Sequence, residues 1–413
     1  MREKKKKCVI YYGAAVTDRI FSMRQLPLRN APATQRMTRV ASAVRRTGLK
    51  CYILSPAIQP RIRTSWKVLS PILSLHNGIP IIAIRQIGVK LFGYLLAPFF
   101  AIGAARRISK RRRIETVVQY NFHPDVLMFA LWCKLAYGSH VMLDFEDASR
   151  ISWRDWLPHS EIRAFNQFFT TILQKAALRA CDSVFMPSEK FLWALPRGKS
   201  YMIVRGCQRV EPIGAIQKRD GNAKIHVLLS GSLTRQNGLD LFFDAIQLLQ
   251  DDPALERFSF SVCGVGQLQY ARRRADNLRS GVVHVLGTLT NSQFADLYKD
   301  VDVCLVLQDP AGRFGQSKSP SKGYEALCSG KTIIVTEIGD FGLLPDEVCY
   351  HLKKFDSNEL AQTLRPMKPE EVYGKRLAAI RFASANYDLS VVGQRLVGLM
   401  TGEKERCSRL PKV

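Results

Sequence analysis

The sequence predicts an α/β protein built from two doubly wound parallel sheets. Two observations carry this prediction. Short runs rich in Val, Ile and aromatic residues alternate with helix-length segments through residues 1–207, and the alternation resumes from residue 225. Such alternation specifies parallel strands joined by crossover helices. Between the two halves, residues 208–224 (QRVEPIGAIQKRDGNAK) are polar with no clear period and read as a linker. A chain of 413 residues has room for two sizeable cores.

The first strand is CVIYYG (8–13), followed by an irregular stretch, an amphipathic helix through ATQRMTRVASAVRRTG, and a second strand, CYILSP (51–56). Further strands are predicted at IPIIAIR (79–85), TVVQYN (116–121), HVMLDFED (140–147) and SVFMPS (183–188), before YMIVRGC (201–207). The second half reads IHVLLSGSL strand, GLDLFFDAIQLLQ helix, RFSFSVCGVG strand, YARRRADNL helix, VVHVLG strand, SQFADLYKD helix and DVCLVLQ strand. In SKSPSKGYEALCSGKTIIV (317–335), Ser319-Pro320-Ser321 marks a helix start with a hydroxyl for an orphan N–H, Gly330 a stop, and Ile333 to Val335 a buried strand. Residues 378–400 read as helical. The expected division is 1–207, the linker 208–224, a second domain 225–385, and a C-terminal helix with a frayed tail at 386–413.

With 46% hydrophobic and 23% charged residues, the composition is that of a globular protein and excludes a disordered or fibrous chain. The net charge of +26 is concentrated: residues 1–113 hold 24 Lys and Arg against Glu3 and Asp18, a net of +22. That half is expected to face something anionic. The uncharged run LFGYLLAPFFAIGAA (91–105) is followed directly by RRISKRRR. It is too short to span a bilayer, and Pro98 is expected to break it. The segment is either an apolar face resting in the headgroup layer of an anionic membrane or a core helix with a solvated basic end. Nucleic-acid motifs and zinc-finger spacings are absent, so no nucleic-acid partner is expected. Ten scattered cysteines, several inside apolar runs, suit reduced core thiols. MREKKKKCVIYYG has no long apolar signal region, so the chain is expected in the cytoplasm.

Four stretches in the second half, LLSGSLTRQNGLDLFFDAI, VCGVG, VHVLGTLTNSQFADLYKDVDVCLVL and SPSKGYEALCSGKTIIVTEIGD, stand in one order over about 115 residues. Together they resemble the nucleotide-sugar-binding domain of the glycosyltransferase group 1 family (family 4 type). YNFHPDVLMFALWCKLAYGSHVMLDFED and ACDSVFMPSEKF extend the resemblance more loosely over the first half. It implies the GT-B architecture, two Rossmann-like domains facing a cleft, and a retaining transferase using a nucleotide-diphosphate sugar without a metal ion or other cofactor.

The resemblance implies that Glu325 binds ribose or donor-sugar hydroxyls, as an ionised carboxylate can. The alternative is an acid that complements the helix dipole. Ser319, Ser321 and Lys322 at the helix start would meet the diphosphate. The family's first Glu is replaced by Ser317, and its two diphosphate-binding cations by Ser232 and Asn237, with Arg235 as a candidate replacement charge. Gly264 and Gly266 allow close ligand approach or make a tight turn. Thr288 and Leu289 match the backbone that faces the nucleotide base in the family.

In the first half, Gly13 lies in the first strand-to-loop turn and allows close approach of a ligand. His123 resembles a donor-positioning His, or caps a helix. Asp144, Glu146 and Asp147 crowd a strand end, where one could orient an acceptor hydroxyl and Asp147 could equally cap a helix. The reading is a cytoplasmic, peripherally membrane-bound glycosyltransferase, with anionic membrane contact through 91–113 and a saccharide or lipid-linked acceptor, serving polysaccharide, lipopolysaccharide or glycolipid biosynthesis. Its rivals are a catalytically inactive GT-B partner subunit and a nucleotide-sugar epimerase.

Overall fold

A computed structural model of the chain describes residues 5–24, 26, 31–57, 68–87, 90–146, 161–218, 223–279, 281–311 and 320–402. The chain divides into two compact units. Unit 1 takes 1–187, 191–207 and 389–408; unit 2 takes 188–190, 208–388 and 409–413.

In chain order, unit 1 contains β1 (Lys7–Tyr12), α1 (Asp18–Arg24), α2 (Ala31–Arg46), β2 (Lys50–Ser55), β3 (Val68–Leu69), β4 (Ile72–His76), β5 (Ile79–Ala83) and β6 (Gln86–Ile87). It continues with α3 (Lys90–Ser109), β7 (Arg113–Tyr120), α4 (Pro124–Tyr137), β8 (His140–Asp144), α5 (Glu161–Ala180), β9 (Ser183–Met186) and β10 (Ser200–Ile203). The main sheet has the order β10-β9-β8-β7-β1-β2-β5-β4. Every pairing in it is parallel except β4 with β5. That exception is a hairpin, because Asn77 (φ 50°) and Gly78 (φ 73°) both adopt the left-handed backbone that a tight two-residue turn needs.

Apart from the half-exposed edge strand β4, the strands are largely buried on both faces, as β9 (Ser-Val-Phe-Met, all buried) shows. One face packs against α2, where Met37, Val40 and Val44 are buried. The other packs against α3, α4 and α5 through Ala97, Ala101, Phe129, Cys133, Ala177 and Leu178. Pro98 does not break α3, contrary to expectation. Ala97, Ala101 and Ala105 are fully buried at i, i+4 spacing, and that packing outweighs the cost of about 3 kcal/mol that an interior proline imposes. Among the described residues no helix is long and apolar enough to cross a membrane.

Unit 2 contains β11 (Ile225–Leu233), α6 (Leu239–Leu248), β12 (Phe258–Gly266), α7 (Leu268–Asp276), β13 (Val283–Gly287), α8 (Asn291–Lys299), β14 (Val303–Val306) and α9 (Ser321–Cys328). β15 (Thr332–Thr336), β16 (Cys349–Leu352), α10 (Ser357–Leu364) and α11 (Pro369–Asn386) complete it. Its sheet is wholly parallel with the order β13-β12-β11-β14-β15-β16, so the winding reverses between β11 and β14. Open α/β sheets bind ligands beyond the strand ends at such a reversal. The stretch read as a linker lies against unit 2: Ile216 is 7% exposed and Glu211 N–H donates to the Cys328 carbonyl at 2.9 Å.

The last described helix, α12 (Leu389–Thr401), belongs to unit 1. It lies against α2 closely enough that a Cβ on Gly393 would sit 2.2 Å from the Ala43 carbonyl oxygen. Among the described residues nine cysteines are free thiols, and eight of them are buried.

Candidate functional site

In unit 2 the chemistry collects where the winding reverses. The Lys322 ammonium, from the first turn of α9, donates to the Ser230 carbonyl near the end of β11 at 3.2 Å. Burial pushes its pKa down from 10.5 to about 8, with only Cys304 acting in the other direction. A lysine so placed is a cation held in poor solvent, and an arriving anion would satisfy it.

Glu325 lies one turn further along α9 and is half-buried. The Tyr298 hydroxyl contacts the Cys304 thiol at 3.7 Å. Burial, then Cys304, then the charge of Glu325 raise the Tyr298 pKa well above its usual value. Lys322 and Glu325 therefore flank the same Cys304–Tyr298 contact. Leu289 packs in the cluster that contains Tyr298, and the exposed Thr288 hydroxyl donates to the Gly264 carbonyl at 3.1 Å. This places the Thr288-Leu289 backbone beside the same cluster.

The loop after β11 is braced from within. Asn237 Nδ2 donates to the Ser232 carbonyl at 2.8 Å, and Gln308 Nε2, just past β14, donates to Asn237 Oδ1 at 3.2 Å. Gln308 was not foreseen; its place directly after the DVCLVL strand is the signal that could have found it. The Arg235 guanidinium is 81% exposed and paired with Asp240 at 2.5 Å, so its charge is engaged at the surface.

Gly264 (φ 141°) and Gly266 (φ 122°) are demanded by strand pairing. A Cβ on Gly264 would lie 1.8 Å from the Gly231 carbonyl oxygen, and one on Gly266 would lie 2.6 Å from that of Leu233. The α9 N-cap is Pro320, with no side-chain cap, so the expected hydroxyl cap is not made there. Ser321 is exposed at the first helical position, while Ser319 and Ser317 lie outside the described residues.

Unit 1 brings a second group to the ends of β1, β7 and β8. A Cβ on Gly13 would meet Tyr120 Cβ at 2.5 Å, so its smallness serves the packing of β1 against β7. Asp144 is fully buried and accepts two forked bonds from Arg36, Nη2 at 2.7 Å and Nε at 3.0 Å, plus one from the Tyr11 hydroxyl. Burial works against the Arg36 charge, but Asp144 and then Glu146 outweigh it and hold the pKa above its usual value. With its oxygens engaged in this way, Asp144 acts as a scaffold.

Glu146 stays 31% exposed, 3.7 Å from Arg36, and accepts from the Tyr120 hydroxyl. Its backbone N–H donates to Asn121 Oδ1 at 2.9 Å, and Asn121 adopts φ 56° to make that reach. His123 is exposed at the N-cap position of α4, makes no side-chain cap, and lowers the pKa of Asp125, which burial raises. Asp147 lies outside the described residues. Among those residues no group of three or more His, Cys, Asp or Glu could hold a metal ion. Arg36, Tyr11 and Tyr120 were not foreseen. Their positions are far apart in sequence, and only an arginine interrupting the apolar face of α2 hinted at them.

The sequence pattern of the family described as glycosyl transferases, group 1, matches residues 224–367. No curated protein sequence matches the chain. Among solved structures, a glycosyltransferase from Rickettsia africae ESF-5 is similar at 13% identity and a TM-score of 0.61, covering 96% of this chain and 98% of that one. The UDP-forming α,α-trehalose-phosphate synthase of Burkholderia vietnamiensis is similar at 13% identity and a TM-score of 0.62, covering 98% and 99%. The sucrose-phosphate synthase of Thermosynechococcus elongatus is similar at 14% identity and a TM-score of 0.59, covering 96% and 98%. At these identities the structural likeness speaks for the shared GT-B fold, and the family match speaks for the activity. Residues 224–367 are thus a group 1 glycosyl transferase domain on a GT-B fold, and the chain is a glycosyltransferase.

Proposed function

We propose that the protein is a retaining glycosyltransferase that moves a sugar from a nucleotide-diphosphate donor to a saccharide or lipid-linked acceptor at the cytoplasmic face of a membrane. Unit 2 holds the donor and unit 1 the acceptor. The observation that carries the donor assignment is Lys322, a cation of depressed pKa at the β11–β14 reversal, one turn from Glu325.

In this reading Lys322 and the α9 N–H groups receive the diphosphate, and Glu325 accepts donor hydroxyls. Thr288, Leu289, Gly264 and Gly266 present backbone to the nucleotide. As the sugar–oxygen bond to phosphate breaks, charge accumulates on the leaving diphosphate, and a preorganised cation there lowers the barrier directly. The acceptor oxygen arrives on the face the diphosphate leaves and passes its proton to the departing diphosphate oxygen as the new bond to the anomeric carbon forms, so the anomeric configuration is kept without an enzyme nucleophile. No metal ion is assigned a role. His123 is the candidate to position the donor sugar and Glu146 the candidate to orient the acceptor hydroxyl, with Asp144 holding Arg36 beside Glu146. Leu95 and Phe99, each 58% exposed on α3, followed by exposed Arg106 and Arg107, support the membrane contact through 91–113.

The test is a thermal-shift panel of nucleotide-diphosphate sugars on wild type and Glu325→Ala. A donor at a hundred times its dissociation constant stabilises by about 2.7 kcal/mol. One donor is expected to raise the wild-type melting temperature and not that of the variant. An equal rise in both removes Glu325 from the site, and no rise with any donor overturns the donor assignment.

A further inference from the structure

The outer surface of unit 1 is organised beyond its reactive strand ends. α3, α4 and α5 lie side by side on one face of the sheet, so their outward sides form one surface. On it Leu95, Phe99, Leu131, Leu135, Phe169 and Ile172 are 38–88% exposed. Exposed apolar residues on three adjacent helices mark an interaction surface.

α3 and α4 both run against the strand direction and end at the N-terminal edge of the sheet. Near that edge Arg106 lies over the Trp132 ring at 5.5 Å, and Trp132 meets Tyr137 edge-on at 5.1 Å. This amphipathic aromatic pair with an arginine suits the boundary between hydrocarbon and headgroups. Beside it, sharing Tyr137, opens a pocket of about 510 Å³ lined also by Lys5, Lys7, Ser109, Arg112, Arg113 and Ile114. The Ser109 carbonyl accepts from Lys5 at 2.7 Å, and the Tyr137 hydroxyl donates to Ser109 Oγ at 3.3 Å. Lys7 is paired with Glu115 at 2.6 Å, whereas Arg112 and Arg113 form no ion pair among the described residues. The pocket thus gathers four cations against one neighbouring acid. It sits at the strand edge opposite the one that carries Gly13, Asn121 and Glu146.

We propose that this pocket takes the phosphate of an anionic phospholipid while the outer face of α3–α4–α5 enters the headgroup layer. The proposal rests on the membrane reading above and narrows it to a headgroup site. Charge complementarity selects the occupant: four converging cations beside an apolar surface match a phosphodiester carried on acyl chains. The reactive strand ends of the unit would then point away from the anchored edge.

The experiment is sedimentation with vesicles of phosphatidylcholine alone, and of phosphatidylcholine mixed with phosphatidylglycerol. It compares wild type, Arg112→Ala/Arg113→Ala, and the control Lys110→Ala/Arg111→Ala, which loses the same charge outside the pocket. Wild type is expected to bind only the anionic vesicles. The control should weaken by about fivefold per cation removed, as a diffuse field requires. The pocket variant should weaken at least about tenfold further. Equal losses in the two variants overturn the headgroup site while leaving membrane contact intact. Absence of wild-type binding overturns the membrane reading itself. Inorganic phosphate at matched ionic strength, without vesicles, separates the sources. If it raises the melting temperature of wild type but not of the pocket variant, and releases wild type from vesicles, the pocket is a soluble phosphate site and the lipid assignment fails.

Discussion

Replacing Lys322 by Met separates what this lysine costs the fold from what it gives the site. Burial holds its pKa at about 8 instead of 10.5. At neutral pH the folded protein therefore carries a charged group in an environment that disfavours the charge by about 3 kcal/mol relative to the unfolded chain. The sign follows from proton counts. Between pH 8 and 10.5 the unfolded chain binds the Lys322 proton and the folded chain releases it, so this lysine's contribution to stability rises with pH through that window.

Lys322→Met, similar in length and apolar, should be more stable than wild type by up to about 3 kcal/mol at pH 7, with the difference closing towards pH 10.5. Denaturant melts of both proteins at several pH values measure it. Nucleotide binding should move oppositely. An arriving diphosphate favours the ammonium, so wild-type affinity for a nucleoside diphosphate should fall about tenfold per pH unit above 8, with proton uptake on binding. The variant should bind weakly at every pH. Titration calorimetry at pH 7 and 9, in buffers of different ionisation enthalpy, reads both quantities. A variant that binds as tightly as wild type with the same pH profile would refute the contact between Lys322 and diphosphate. One that is less stable at pH 7 would refute the burial argument.

Three further outcomes are expected. Asp144→Ala should lose about 3–5 kcal/mol in equilibrium unfolding, because it leaves the Arg36 guanidinium buried beside an emptied site. Gly264→Ala should cost at least about 2 kcal/mol, since its Cβ would stand 1.8 Å from the Gly231 carbonyl oxygen at φ 141°; loss of melting temperature without any donor present separates this from a ligand effect. Pro98→Ala should stabilise unit 1 by up to about 3 kcal/mol by restoring a helix-interior N–H, read as a shift in denaturant midpoint at constant slope.

The elements legible in the sequence are those whose pattern is local. The buried strands β9, β14 and β15 are short continuous apolar runs, and the crossover helices α2, α6 and α7 carry their own amphipathic period, whereas α3 and α4 are apolar nearly all round. The Asn77-Gly78 turn was equally local: HNG between two apolar runs is a hairpin signal, and β4 went unread because its Ile-Leu-Ser-Leu-His pattern is half-exposed. Pro98 misled because a helix-breaking preference is a local cost, whereas the alanine packing that outweighs it is tertiary.

The site divides along the same line. Glu325 and Lys322 could be read from one loop-helix-strand segment, yet nothing local shows that Lys322 reaches back to Ser230 and loses its water. Arg36, Tyr11, Tyr120 and Asp144 come from four separate elements, and only the sheet order brings them together. Likewise, the glycines of CGVG look like ligand-approach residues in the sequence, and the structure adds that the neighbouring strand already forbids any side chain there.

The return of α12 to unit 1 bears on how the chain is made. Unit 2 is almost continuous, from 208 to 388, and can assemble as soon as that stretch leaves the ribosome. Unit 1 is completed only after unit 2, because the surface of α2 that receives Leu389, Val392, Leu396 and Leu399 stays uncovered until α12, which follows unit 2 in the chain, emerges. During synthesis the amino-terminal half therefore waits, with an apolar helix face open to chaperones or to a neighbouring nascent chain, while the later half folds before it.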